Sequence, residues 1–129
     1  MAVTAIAALL GTVEYVQKGV AQMTWGATIS GVGNSFDAPH LPEKTLFISP
    51  PTSAGGTSRV IIEGSNVSTV TGAINVFTTL TSPTDGQLDF SAIPAAGIIR
   101  VIRENPRVIR PRFETVTAGE DLQVMIVAR

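Results

Sequence analysis

The sequence has no cysteine and a single histidine, His40. The first absence removes disulfide frameworks, Cys-based zinc sites and thiol nucleophiles. The second removes any two-histidine metal motif. Charge is scarce: 15% of the 129 residues are Asp, Glu, Lys or Arg, against about a quarter in an ordinary soluble domain. The charges nearly cancel, 9 basic against 10 acidic side chains for a net charge of -1, a balance that gives no chain-wide drive toward nucleic acid. Long apolar runs are lacking too. The apolar stretch over 1–10 is ended by Gly11, Thr12 and Glu14, and no basic residue precedes it. A membrane span needs about twenty apolar residues, and a signal peptide needs positive charge before its apolar core. The stretch reads as mature protein, a contact arm for which no membrane role is expected. Val3, Ile6, Ala7 and Leu10 fall at helical spacing, and Gly11 and Gly19 would keep such a helix short.

The rest of the chain reads as short β-branched and aromatic runs separated by Gly, Pro, Asn, Asp and Ser. Strands are predicted over 22–28, 45–49, 59–63, 74–80, 88–90, 98–103, 107–113 and 122–128, with turns at 31–34, 50–56, 64–66, 82–86, 94–97, 104–106 and 118–121. Short strands with frequent turn signals point to an all-β fold, an antiparallel β-sandwich or jelly roll carrying an N-terminal arm. No helical period alternates with the strands, which argues against a parallel α/β sheet. The arm is drawn over 1–21 and the sandwich domain over 22–129.

Alternation assigns faces. Val60 and Ile62 share one side of their strand, and Arg59, Ile61 and Glu63 the other. Ile109 and Phe113 point away from Arg110 and Arg112. Pro111 cannot donate to a ladder, so its strand is expected at an edge or locally bulged. The 122–128 strand is apolar on both faces, Leu122, Val124 and Ile126 against Met125 and Val127. Such a strand is central or covered, and a neighbouring subunit is one possible cover.

Motifs that would carry chemistry are weak. His40 sits in a proline-flanked loop, and no spacing supplies it with a nucleophile and an orienting acid. Asp85 and Asp89 lack the alternating oxygens and terminal Glu of a calcium loop. Gly55 and Gly56 have no following Lys or helix to make a phosphate loop. A glycosidase pair such as Glu104 and Glu114 is not singled out by anything nearby. The chain is therefore expected to be no enzyme and to need no cofactor or metal. One asymmetry stands out: Arg100, Arg103, Arg107, Arg110, Arg112 and Arg129 crowd the last quarter of the chain, with no Lys among them. Arginine makes bidentate carboxylate contacts and is enriched at interfaces. Either these residues grip an acidic protein surface, or they pair internally with Glu104, Glu114, Glu120 and Asp121.

V-I-I-E-G-S-N at 60–66, F-T-T-L at 77–80, E-N-P-R-V-I-R-P-R at 104–112 and L-Q-V-M-I-V-A-R at 122–129, with Thr24, Trp25 and the 39–49 stretch upstream, resemble a family of small tailed-bacteriophage head proteins. These are decoration, or cement, proteins of the capsid exterior. The resemblance covers 22–129, and the E-N-P-R-x-I-R-P run is its most specific part. It implies a jelly-roll-like sandwich that joins neighbouring capsomers, stiffens the shell and forms homodimers or homotrimers. It also implies the major capsid protein as partner and the outer capsid surface of the virion, assembled in the host cytoplasm, as location. The chain departs from the family pattern in two ways: the E-G-S-N-D-G-x-x-W continuation is absent, and the arm is long. The expected contact residues are Val3, Ile6, Leu9, Leu10, Val13 and Tyr15 of the arm, with Arg107, Arg110 and Arg112. Two other readings stand beside this one. A galactose-binding-like sandwich of a virion tail or adhesion protein would show exposed aromatic residues at a sugar site. A hydrolase would show a polar cleft around His40.

Overall fold

Strict alternation of buried and half-buried side chains along two strands defines the larger sheet. In β2 (Val20–Ala27), Ala21, Met23, Trp25 and Ala27 point inward, and in β13 (Leu122–Ala128) Leu122, Val124, Ile126 and Ala128 do the same. A computed structural model describes residues 11–52, 57–66, 77–84 and 86–129. Among these the first sheet runs β1 (Thr12–Gln17), β2, β13, β5 (Lys44–Ile48), β11 (Ile98–Ile102), with every neighbour antiparallel. The second sheet runs β10 (Asp89–Phe90), β6 (Arg59–Ser65), β12 (Val108–Thr115), β3 (Gly31–Val32). β4 (Phe36–Asp37) also pairs with β12, and β7 (Thr78–Thr79) with β6. A small ribbon joins β8 (Thr81–Ser82) to β9 (Gly86–Gln87). The two inner faces share one core, in which Trp25, Leu46 and Ile126 of the first sheet cluster with Val60, Ile62, Ile109 and Phe113 of the second. The fold is all-β, an antiparallel β-sandwich, as the spacing of turns predicts.

Residues 12–17, read from the sequence as arm, form β1. The cause is local: the two-residue loop Lys18-Gly19 turns the chain back onto β2, with Gly19 at φ +78°. Thr12 and Glu14 then lie opposite Thr24 and Gln22. Residues 1–10, including Val3, Ile6, Leu9 and Leu10, lie outside the described residues, as does 67–76, which holds part of the strand expected over 74–80.

Pro111 corrects an expectation. Its strand is at neither an edge nor a bulge of its own: β12 pairs with β6 on one side and with β3 and β4 on the other. The irregularity in this strand falls later, between Phe113 and Thr115. Residues 33–35 interrupt the partner strand between β3 and β4, opposite the proline. There the Gly33 N–H donates to the Pro111 carbonyl at 2.9 Å. A ladder that breaks beside residue 111 requires no donor from it, so a proline is accommodated inside a paired strand.

Candidate protein-interaction surface

The pairing of β6 with β12 brings together two of the four runs on which the family resemblance rests, 60–66 and 104–112. Ser65 lies opposite Val108, Gly64 opposite Ile109 and Glu63 opposite Arg110. Gly64 is held to glycine by packing, because a Cβ there would sit 2.6 Å from Pro106 Cγ. The Glu63 side chain, 5% exposed, accepts from Arg110 Nε at 2.7 Å and from Arg112 Nε at 3.3 Å. Arg112 also donates to Glu114 at 2.5 Å, and the Arg110 guanidinium stacks 3.5 Å from the centre of the Phe77 ring. A buried carboxylate is tolerated only when its oxygens are matched in this way. Elsewhere Arg107 approaches Asp37 at 3.8 Å and Arg129 approaches Glu43 at 3.6 Å, both pairs well exposed. Arg100 lies over Phe90, and Arg103 reaches the Pro83 carbonyl. Of the acids named as internal partners, Glu114 takes an arginine directly. The main counterion is Glu63, which the sequence places on the polar face of its strand without revealing its register against Arg110.

The other polar groups are similarly engaged. Both Glu104 oxygens are bound by Thr81, from its N–H at 2.8 Å and its hydroxyl at 2.5 Å. Burial alone would raise the Glu104 carboxyl. The Thr81 hydroxyl and N–H, a further backbone hydrogen bond and nearby Arg103 reverse that and hold it below the ordinary carboxylate range. Glu104 borders an open cavity of about 490 Å³ with Asn66, Thr78, Leu80 and Pro106. Buried Lys44 donates to the Leu41 carbonyl at 2.7 Å and to Asn105 Oδ1 at 2.5 Å, and burial lowers its pKa. His40 is exposed in a turn. Among the described residues no group of His, Asp and Glu is arranged to hold a metal. Nor is any described aromatic side chain exposed: Trp25, Phe36 and Phe113 are buried, and Phe47, Phe77 and Phe90 half-buried.

Among the described residues, the outer face of the five-stranded sheet carries few such commitments, Gln22 bonding to Glu14 at its β1 edge. Register aligns two rows across β2, β13, β5 and β11. One is Thr24, Met125, Phe47 and Ile99; the other is Gln22, Val127, Thr45 and Val101. None of these eight residues is charged. Ile99 is 64% exposed and Val101 55%, making a ridge along the edge strand β11. A groove of about 380 Å³ crosses the strands over Thr24, Met125 and Phe47 and ends against Ile99. Sequence reasoning identified Met125 and Val127 through the two-faced pattern of their strand. Phe47, Ile99 and Val101 join them only through the strand order. At the opposite edge, β1 pairs with β2 alone among the described residues. Val13 of β1 is 43% exposed, and Glu14 accepts from Gln22 at 3.2 Å. Tyr15 lies in the same strand.

No family model and no curated protein matches the chain. Among solved structures, the chain is similar to the crystal structure of the SPBc2 prophage-derived protein YomS. The identity is 18% and the TM-score 0.49, over 89% of this chain and 98% of that one.

Proposed function

We propose that this chain is a structural protein of a tailed-phage particle, a decoration protein that binds the outside of the capsid and bridges neighbouring capsomers. The observation that carries the reading is the edge of β1, which among the described residues is paired on one side only and is directly continuous with the apolar run over 1–10. An open edge can accept a strand from a neighbouring protein, with backbone hydrogen bonds supplying affinity and alternate side chains supplying fit. The apolar run adds contact area at roughly 25 cal/mol per Å² removed from water, before the costs of association. The sequence resemblance supports the same assignment, and its motif residues act as scaffold: Glu63, Gly64, Pro106, Arg110 and Arg112 hold the second sheet together. Arg110 and Arg112, read from the sequence as contact residues, reach a partner only through what Glu63 leaves of their donors. Arg107, half-exposed, is freer to do so. The capsid contacts proposed are thus Val3, Ile6, Leu9 and Leu10 of the arm, Val13 and Tyr15 of β1, and Arg107, with the major capsid protein as partner. The role requires no catalysis and no cofactor. The sugar-binding alternative draws no support from the described aromatic residues, which are buried or half-buried.

The test is cryo-electron microscopy of particles assembled from this protein and its genomic neighbours, with the full chain and with a variant lacking residues 2–10. The full chain should appear as regular sandwich-shaped density on the shell exterior at symmetry axes. The shortened chain should remain folded and leave the shells bare. Bare shells with the full chain, or selective binding on a glycan array, would overturn the proposal.

A further inference from the structure

We infer that Arg100 keeps the β11 edge of the first sheet closed to strand addition, so that a neighbour's strand is steered to β1. Backbone direction along β5 shows which groups of β11 face outward. Glu43 exchanges hydrogen bonds with Arg129, and the Ser49 N–H donates to the Gln123 carbonyl, so the odd-numbered residues along β5 turn toward β13. Neighbouring residues of a strand point their backbone groups to opposite sides. Lys44, Leu46 and Ile48 therefore turn toward β11, where they meet Ile102, Arg100 and Ile98. The N–H and C=O of Ile99 and Val101 are left at the outer edge, and among the described residues β11 pairs with β5 alone. The segment itself invites pairing. I-I-R-V-I has four β-branched residues and one charge, the composition of an edge that templates further strands. Ile99 and Val101 are well exposed, and a cleft of about 300 Å³ between them and Pro83 leaves the edge accessible.

Two contacts cover this edge. The Thr81 carbonyl takes the N–H of Arg103 at 2.8 Å, just beyond the end of the strand. In the middle, Arg100 Nη1 donates to the Ile99 carbonyl at 2.9 Å. An incoming strand has to take that carbonyl from a guanidinium. Arg100 also stands on the inward side of β11, between Ile98 and Ile102, each 3% exposed. A strand laid alongside would close over the charge and strip its water, which is costly. Packing alone would favour an apolar side chain at that position. Glu14 of β1 instead commits its carboxylate to Gln22 on the neighbouring strand. That a strand is steered to β1 rests on the proposed function; the closure of β11 does not.

The closure is measured without capsids, on the purified full chain and its variants, by sedimentation velocity and by thioflavin T fluorescence after agitation. Arg100→Val should self-associate at a concentration about tenfold below the parent's, the effect of one edge acceptor released for pairing. Its melting temperature should be no lower than the parent's. Arg103→Val, which removes a guanidinium that reaches the Pro83 carbonyl, should associate as the parent does. Adding Val101→Pro to Arg100→Val should restore the parent's behaviour, because the N–H it removes faces the free edge and not β5. Arg100→Val that associates no more readily than the parent overturns the inference. So does association that survives Val101→Pro, that Arg103→Val produces equally, or that appears only with a lowered melting temperature.

Discussion

Glu63 anchors the chemistry of the second sheet. Its carboxylate, nearly out of solvent, is matched by two guanidinium groups from the adjacent strand. Removing one member of such a set leaves buried charge without a counterpart, which costs far more than the intact set contributes. Glu63→Ala should lower unfolding stability by about 3 kcal/mol in urea titrations, and adding Arg110→Ala should recover part of the loss. Glu104 gives a pH signature. Its carboxyl is held below its ordinary range in the folded chain, so the folded state favours the ionised form. That contribution is complete above the unfolded pKa of about 4.3 and is lost as pH falls through it toward the lower folded value. Glu104→Gln should be less stable than the parent by about 1 kcal/mol at neutral pH, one charge-assisted hydrogen bond being weakened. Thermal melts from pH 7 to pH 3 should show that gap closing. The sequence made the arginine cluster visible but not its counterion. Glu104 and Glu114 are near in sequence, whereas Glu63 is near only through the cross-strand register.

At the level of elements, local patterning carried most of the information. The strands expected over 22–28, 45–49, 59–63, 98–103, 107–113 and 122–128 all appear with shifts of a residue or two at their ends. Period-two burial is a local property of the chain, so it survives without knowledge of the partners. What was not legible depended on neighbours. Pro111 looked incompatible with a doubly paired strand because the gap between β3 and β4 lies some seventy to eighty residues away in sequence. β1 was hidden by its apolar approach, although T-V-E-Y-V-Q followed by Lys-Gly is a strand-and-turn signal. Gly19 tests the importance of that hairpin. Its Cβ position meets no neighbouring atom, so Gly19→Val is penalised by the positive φ alone. A loss of about 1–2 kcal/mol is expected, read as a lower melting temperature. An unchanged melt would mean that β1 adds nothing to the sandwich.

For the molecule as a whole, the fold class was readable and the apolar outer face of the first sheet only half so. A strand apolar on both sides is expected to be central or covered, and β13 is central, between β2 and β5. Which residues complete that face follows from the order β2, β13, β5, β11, and no local rule supplies it. On the proposed capsid role, repetition over a shell turns modest contacts through an open strand edge into a durable attachment. The position of β13 has a consequence for synthesis. β2 and β5 meet only through it, and Val127 pairs with Gln22 across roughly a hundred residues of chain. During translation, β2 and β5 emerge long before the strand that joins them and wait with bare edges and apolar faces. The first sheet cannot close until residue 128 has cleared the ribosome. A nascent chain stalled short of that point carries no finished sheet, so aggregation and proteolysis act on incomplete copies while finished ones are spared.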